Sequence, residues 1–146
     1  MTLVAAQNAF PQVGEHLPKC LCGPLDGAAL ARYALASGDD NPLHLDPSIA
    51  QRAGLAERPI HGMLMVGHFE PMIFAWRQDF ALIGLSAKFL RPVLVGQSFE
   101  LSGRVIRVTP DESPNLILRL MAHAQGEAEK PELALVAEAK LARRST

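Results

Sequence analysis

"HGMLMVGHFEPMIFAWRQDF", residues 61–80, decides the architecture. Met63, Leu64, Val66, Phe69, Met72, Ile73, Phe74 and Trp76 leave no broad polar face. A helix here is therefore expected to be buried on nearly all sides, with Pro71 kinking it by removing one backbone bond. A strand does not fit, because the apolar residues continue past a strand's usual length without a turn signal. "ERPI", residues 57–60, is the breaker in front of it.

Downstream of residue 80 the period changes from helical to two. "LIGLSAKFLRPVLVG" predicts a strand ended by Pro92 and Gly96, and "SFELSGRVIRV" a second, ended by "TPDESPN". "LILRLMAHA" sets Leu116, Leu118, Leu120 and Ala122 against Ile117, Arg119, Met121 and His123. "ELALVAEAKLA" sets Leu133, Leu135, Ala137, Ala139 and Leu141 against Glu138 and Lys140. One apolar face at period two marks an antiparallel sheet packed on one side.

Upstream, three prolines between residues 11 and 25 leave room only for a short strand near Glu15 to Cys20. "LDGAALARYALASG" follows, with Asp26 as N-cap, Leu30, Tyr33 and Ala34 on one face, and Gly38 as the stop. In "DPSIAQRAG", Asp46 caps, Pro47 opens and Gly54 ends a short helix. Helices first and strands second predict an α+β chain with a curved sheet around one long buried helix. The 146 residues suffice for one domain, 1–146, and not for two ordinary ones.

Composition narrows the function. A hydrophobic share of 49 % with 20 % charged residues excludes disorder, and a net charge of −1 provides no field toward nucleic acid or an anionic membrane. Uninterrupted apolar runs such as Met63 to Val66 are far too short for a membrane helix. "MTLVAAQNAFPQVGEHLPK" lacks a basic start before a long apolar run, so the expected compartment is the cytoplasm. Cys20 and Cys22, one residue apart, suit neither a zinc pair nor a redox motif, and on a strand they share a face as small packed residues.

"ASGDDNPLHLD", residues 36–46, is the polar exception in an apolar chain. Capping and turning explain Gly38, Pro42, Asp46 and Pro47. They do not explain His44, which sits between two leucines. His44 is then either a satisfied core histidine or the partner of Asp39 across the proline-stiffened turn, a suitable general acid/base pair around one water. Gly62, at the start of the buried helix, either eases the turn or lets a carbonyl oxygen approach the backbone N–H groups. His61, His68 and His123 lack further ligands at useful spacing, so no metal and no cofactor are expected.

Together, "SGDDNPLHLD", "RPIHGMLM" and "SAKFLRPVLVGQSF" resemble the MaoC-like hydratase family, whose simple members are (R)-specific 2-enoyl-CoA hydratases. The resemblance implies a hot-dog fold, an antiparallel sheet wrapped around a central helix. It implies reversible addition of water to a trans-2-enoyl thioester, giving an (R)-3-hydroxyacyl thioester carried on CoA or a carrier protein. Carried over by position, Asp39 and His44 are the catalytic pair, Asn41 supports them, and the Gly62 N–H binds the thioester carbonyl. Where some simple members carry a small polar residue in the helix, this chain has "VGHFEP", which makes Glu70, with His61, a pocket candidate and His68 a departure from the pattern. The family's habit of pairing domains implies a homodimer. The competing expectations are a non-catalytic or partner-dependent thioester-binding subunit and, more distantly, a thioesterase of the same fold.

Overall fold

The computed structural model describes residues 9–109, 114–126 and 130–145. Part of the "TPDESPN" turn and the first eight residues lie outside them. In chain order come β1 (Cys20–Cys22), α1 (Gly27–Ser37), α2 (Pro42–Leu45), α3 (Pro47–Arg52), α4 (Gly62–Gly67), α5 (Phe69–Trp76), β2 (Phe80–Phe89), β3 (Ser98–Thr109), β4 (Asn115–Gln125) and β5 (Glu132–Arg143). The strands form one five-stranded sheet in the order β1-β3-β4-β5-β2, antiparallel at every pairing. This is an α+β domain with one hydrophobic core.

The alternation dictates the core. Leu116, Leu118, Leu120 and Ala122 of β4 have no exposed surface, nor do Leu135, Ala139 and Leu141 of β5. Their polar alternates meet on the other face, where Arg119 lies opposite Glu138 in a 3.6 Å ion pair. Each buried leucine contributes about 1.5–3 kcal/mol relative to exposure. Leu133, expected inward, is only half-buried, because the register slips between Ala122 and His123. Ala134 takes the inward place, and its carbonyl accepts from both Leu90 N–H and Arg91 N–H.

The capping expectations hold. Asp26 Oδ1 accepts from Ala29 N–H at 2.9 Å, Gly38 ends α1 at φ 79°, and Asp46 Oδ1 caps α3 through Ser48 N–H. The strand expected near Glu15 is reduced to a bridge from His16 to Arg104 followed by β1. The Cys20 and Cys22 sulfurs lie side by side, 3.7 Å apart, against the core. Burial, with Cys20 beside it, pushes the Cys22 thiol up to about 12, as for an inert packing residue.

The central helix departs from expectation in two ways. It is divided into α4 and α5 at His68, and it is not buried all round. Met65, Val66, Phe69, Met72 and Ile73 face the core, whereas Met63, Gly67, Glu70 and Phe74 form an exposed stripe at helical spacing. The division follows from Pro71. A helical residue at that position would donate to the carbonyl of Gly67, and proline has no N–H to give. The chain tightens instead: His68 N–H turns back to Met65 O, and the His68 ring donates through Nδ1 to Leu64 O at 2.8 Å. The strand after it begins at Phe80, earlier than the alternation suggested, and stops at Phe89 before Pro92.

Candidate active site

Three elements converge where the polar stretch meets the start of α4. Ser37 Oγ–H donates to Tyr33 O at 2.7 Å and accepts from Asp39 N–H at 3.1 Å, which turns the chain sharply out of α1. Asn41 N–H reaches Asp39 Oδ1 at 3.4 Å, and Asn41 Oδ1 caps α2 by accepting from Leu43 N–H. The single turn of α2 then carries His44 back toward Asp39. Asn41 thus shapes the loop; its side-chain oxygen is engaged in capping.

His44 is fixed from behind. Its Nδ1 lies 2.8 Å from the Pro59 carbonyl, and a carbonyl only accepts, so Nδ1 carries the proton. In the neutral ring, Nε2 is left as the acceptor. His61 stacks on this ring at 4.1 Å between centroids and 26° between planes. Its Nε2 donates to Asp39 O at 3.1 Å, while its Nδ1 is buried with no partner among the described residues. Burial, more than the neighbouring His44, holds the His61 imidazole below its ordinary pKa, and the bond to the Asp39 carbonyl opposes that shift.

One ligand-type atom each from Asp39, His44 and His61 lies within 4.8 Å of the others. The sequence pointed to His61, His68 and His123 as the grouping to consider for a metal, and that grouping does not form. His68 packs edge-on against Phe99, and His123 lies on the outer sheet face near Lys19 and Arg104. The donor set that does gather, two histidines and a carboxylate, suits either proton transfer or a divalent ion.

Gly62 opens α4 beside His61. No side chain caps this helix start, and of its first N–H groups those of Leu64 and Met65 turn back to His61 O. A Cβ on Gly62 would come within 2.6 Å of the Phe89 ring, so the glycine admits that ring against the backbone. With six residues, α4 adds little helix dipole at this position. Glu70 does not join this cluster. It lies on the exposed stripe and lines a separate cavity of about 410 Å³ with Phe74, Leu82 and Arg144. The partnership of His61 with Asp39 was not legible as such, although the sequence marks His61 as a pocket candidate.

Residues 12–112 match the family model described as MaoC like domain. The chain belongs to the MaoC-like hot-dog family. Among curated relatives of this MaoC-like protein, the (R)-specific enoyl-CoA hydratase of Aeromonas caviae is 35% identical over 69% of this chain and 76% of its own length. The mitochondrial 3-hydroxyacyl-[acyl-carrier-protein] dehydratase of Arabidopsis thaliana is 37% identical over 57% of this chain. The match spans about half, 49%, of that relative's length. Among solved structures, the A. caviae (R)-hydratase superposes with a TM-score of 0.80 at 27% identity, over 91% of this chain and 97% of its own. The unliganded R-hydratase PhaJ1 of Pseudomonas aeruginosa, at 24% identity, shares the fold with a TM-score of 0.73 over 92% of this chain and 83% of its own.

Proposed function

We propose that this protein is a hydratase/dehydratase that adds water reversibly to a trans-2-enoyl thioester, giving an (R)-3-hydroxyacyl thioester. The observation that carries the reading is the meeting of Asp39 with His44, whose tautomer the Pro59 carbonyl fixes, in a chain 35% identical to an (R)-specific hydratase.

Asp39 and His44 hold one water for attack at the β-carbon. Water gives its oxygen to that carbon and one proton to the pair, and the pair delivers a proton to the α-carbon on the same face. The pair therefore ends in the protonation state in which it began. Between the two steps the thioester oxygen bears enolate charge, and the Gly62 N–H is its donor. In comparable enzymes the loss of one such donor costs about 3 kcal/mol of barrier. Asn41 contributes by holding the loop.

The sheet is read as curling around α4 and α5, in keeping with irregular registers in the pairings of β2, β3 and β4. The domain is taken to be the whole of 1–146. A second copy is proposed to cover the exposed stripe of Met63 and Phe74 together with the edge strand β2, which exposes Ile83 and Phe89. The resulting homodimer would shelter Asp39, which is exposed in the single chain. A reducing cytoplasm suits the adjacent Cys20 and Cys22 thiols, and no helix among the described residues is long and apolar enough to cross a membrane.

The test is initial-rate hydration across an acyl panel, CoA-linked and carrier-linked, starting from crotonyl-CoA, with chiral analysis of the product. An (R)-3-hydroxyacyl product is expected. A folded protein silent on the whole panel overturns the reading. Light scattering at micromolar concentration is expected to give a dimer mass, and a monomer mass overturns the pairing.

A further inference from the structure

His61 is the most deeply enclosed polar side chain near the pair, at 1 % exposure. Its ring contacts two aromatic rings from different elements. Tyr33 of α1 lies at 4.6 Å and 57° on one contact, and His44 of α2 at 4.1 Å and 26° on the other. Its Nε2–H ends a continuous run of hydrogen bonds: Ser37 Oγ–H to Tyr33 O, Asp39 N–H to Ser37 Oγ, and His61 Nε2–H to Asp39 O. The main chain of Asp39 is thus gripped at both its N–H and its carbonyl. The residue after His61 is Gly62, so the same short segment bears on the carboxylate, the imidazole and the carbonyl site.

A residue serving packing alone does not need this chemistry. A phenylalanine would keep the ring contacts with Tyr33 and His44 without a buried nitrogen that finds no partner among the described residues. Phenylalanine would, however, leave the Asp39 carbonyl without its donor. A second charge stacked 4.1 Å from His44 would repel the imidazolium that proton transfer creates there, so the ring that stacks on His44 serves best uncharged.

Building on the hydratase reading, we propose that His61 is a positioning residue for the Asp39–His44 pair, clamping the Asp39 main chain through Nε2–H and setting the tilt of the His44 ring by stacking. It acts through these two residues and does not itself exchange a proton with substrate.

Steady-state kinetics on crotonyl-CoA with His61 variants tests this. Misplacement of reacting groups by about an ångström costs on the order of 10²-fold, so His61→Ala should lower kcat about 10²-fold with KM within about threefold. His61→Gln, whose amide N–H reaches toward the same carbonyl, should recover roughly tenfold of that loss. Added imidazole should raise the kcat of His61→Ala saturably. A folded His61→Ala with kcat within about threefold of the parent overturns the proposal. So does a loss confined to KM, or a kcat loss that neither glutamine nor imidazole relieves. If His61→Ala does not fold, His61→Gln and His61→Phe decide: glutamine above phenylalanine in kcat supports the clamp, and equality overturns it. Should the parent be silent on every thioester, the hydratase reading fails separately. Nitrogen-15 spectra of the histidine rings then decide this inference: His61 as the Nε2–H tautomer with His44 as Nδ1–H supports it, and an Nδ1–H tautomer at His61 overturns it.

Discussion

Gly62 and the Phe89 ring are in a contact that no side chain at position 62 could share: a Cβ there would meet Phe89 Cε1 at 2.6 Å and Cζ at 2.8 Å. The ring is half exposed at the end of β2, so it can swing away, but only by leaving its seat on α4. Gly62→Ala is expected to destabilise by about 1–3 kcal/mol, as overpacking does. Phe89→Ala in the same chain should remove most of that penalty. Urea denaturation of the two single variants and the double variant measures the coupling, and strict additivity would contradict the contact.

Asp39→Asn and His44→Ala should each lower kcat by about 10²–10⁴-fold while leaving the fold intact, since proton transfer of this kind contributes on that scale. The double variant should lose little more than the worse single one, because the two groups act on one water. Crotonyl-CoA kinetics with circular dichroism as the folding control checks both statements. Asp40, whose N–H bonds Gly38 O and whose side chain is exposed, should tolerate Asn with kcat unchanged within about twofold.

Arg77 is buried at 4 % exposure, where its Nε and Nη2 donate to the two Asp79 oxygens at 2.8 and 2.7 Å and Nη1 donates to Ala9 O. Asp79→Ala would leave that guanidinium enclosed with two donors unmatched. About 2–3 kcal/mol of stability should be lost. Chemical denaturation at pH 7 measures it, and a change below about 0.5 kcal/mol would contradict the pairing.

Stability should fall on mild acidification. Burial holds the folded His61 imidazole below its ordinary range, so between that depressed value and about 6.5 the unfolded chain binds a proton the folded chain does not. The contribution is complete above about pH 6.5 and is lost as pH falls through the window. Asp79, depressed mainly by its bond from Arg77, adds a second loss below about pH 3.9. Urea midpoints at pH 7.5 and 5.5 should separate for the parent chain, and His61→Gln should abolish the part due to this residue.

The sheet was readable because β4 and β5 each present one face to the core: with Leu116, Leu118 and Leu120 fully buried, period two is imposed by burial itself. The meeting of Asp39 with His44 was readable because only five positions and one proline-stiffened turn separate them. The break at His68 was not, although its cause was in view. Pro71 announces a lost hydrogen bond, but the bond is lost at the carbonyl one turn earlier, and the adjustment falls there. The exposed stripe was not readable either, because Met63 and Phe74 are as apolar as the residues they alternate with. The clamp from His61 to Asp39 joins residues twenty-two positions apart and depends on the path of the intervening chain, which local pattern does not specify.

The place of β5 in the sheet has a consequence for how the chain must be made. Among the described residues β2 pairs only with β5, which lies between β2 and β4. Synthesis must therefore run through Glu132–Arg143 before Phe80–Phe89 has a strand to join. Until then the apolar helices α4 and α5 lack the core residues that β2 and β5 contribute, such as Phe80, Leu135 and Leu141. Assembly waits on a late, non-local pairing, which makes it slow relative to hairpin closure and gives chaperones on the nascent chain a segment to hold.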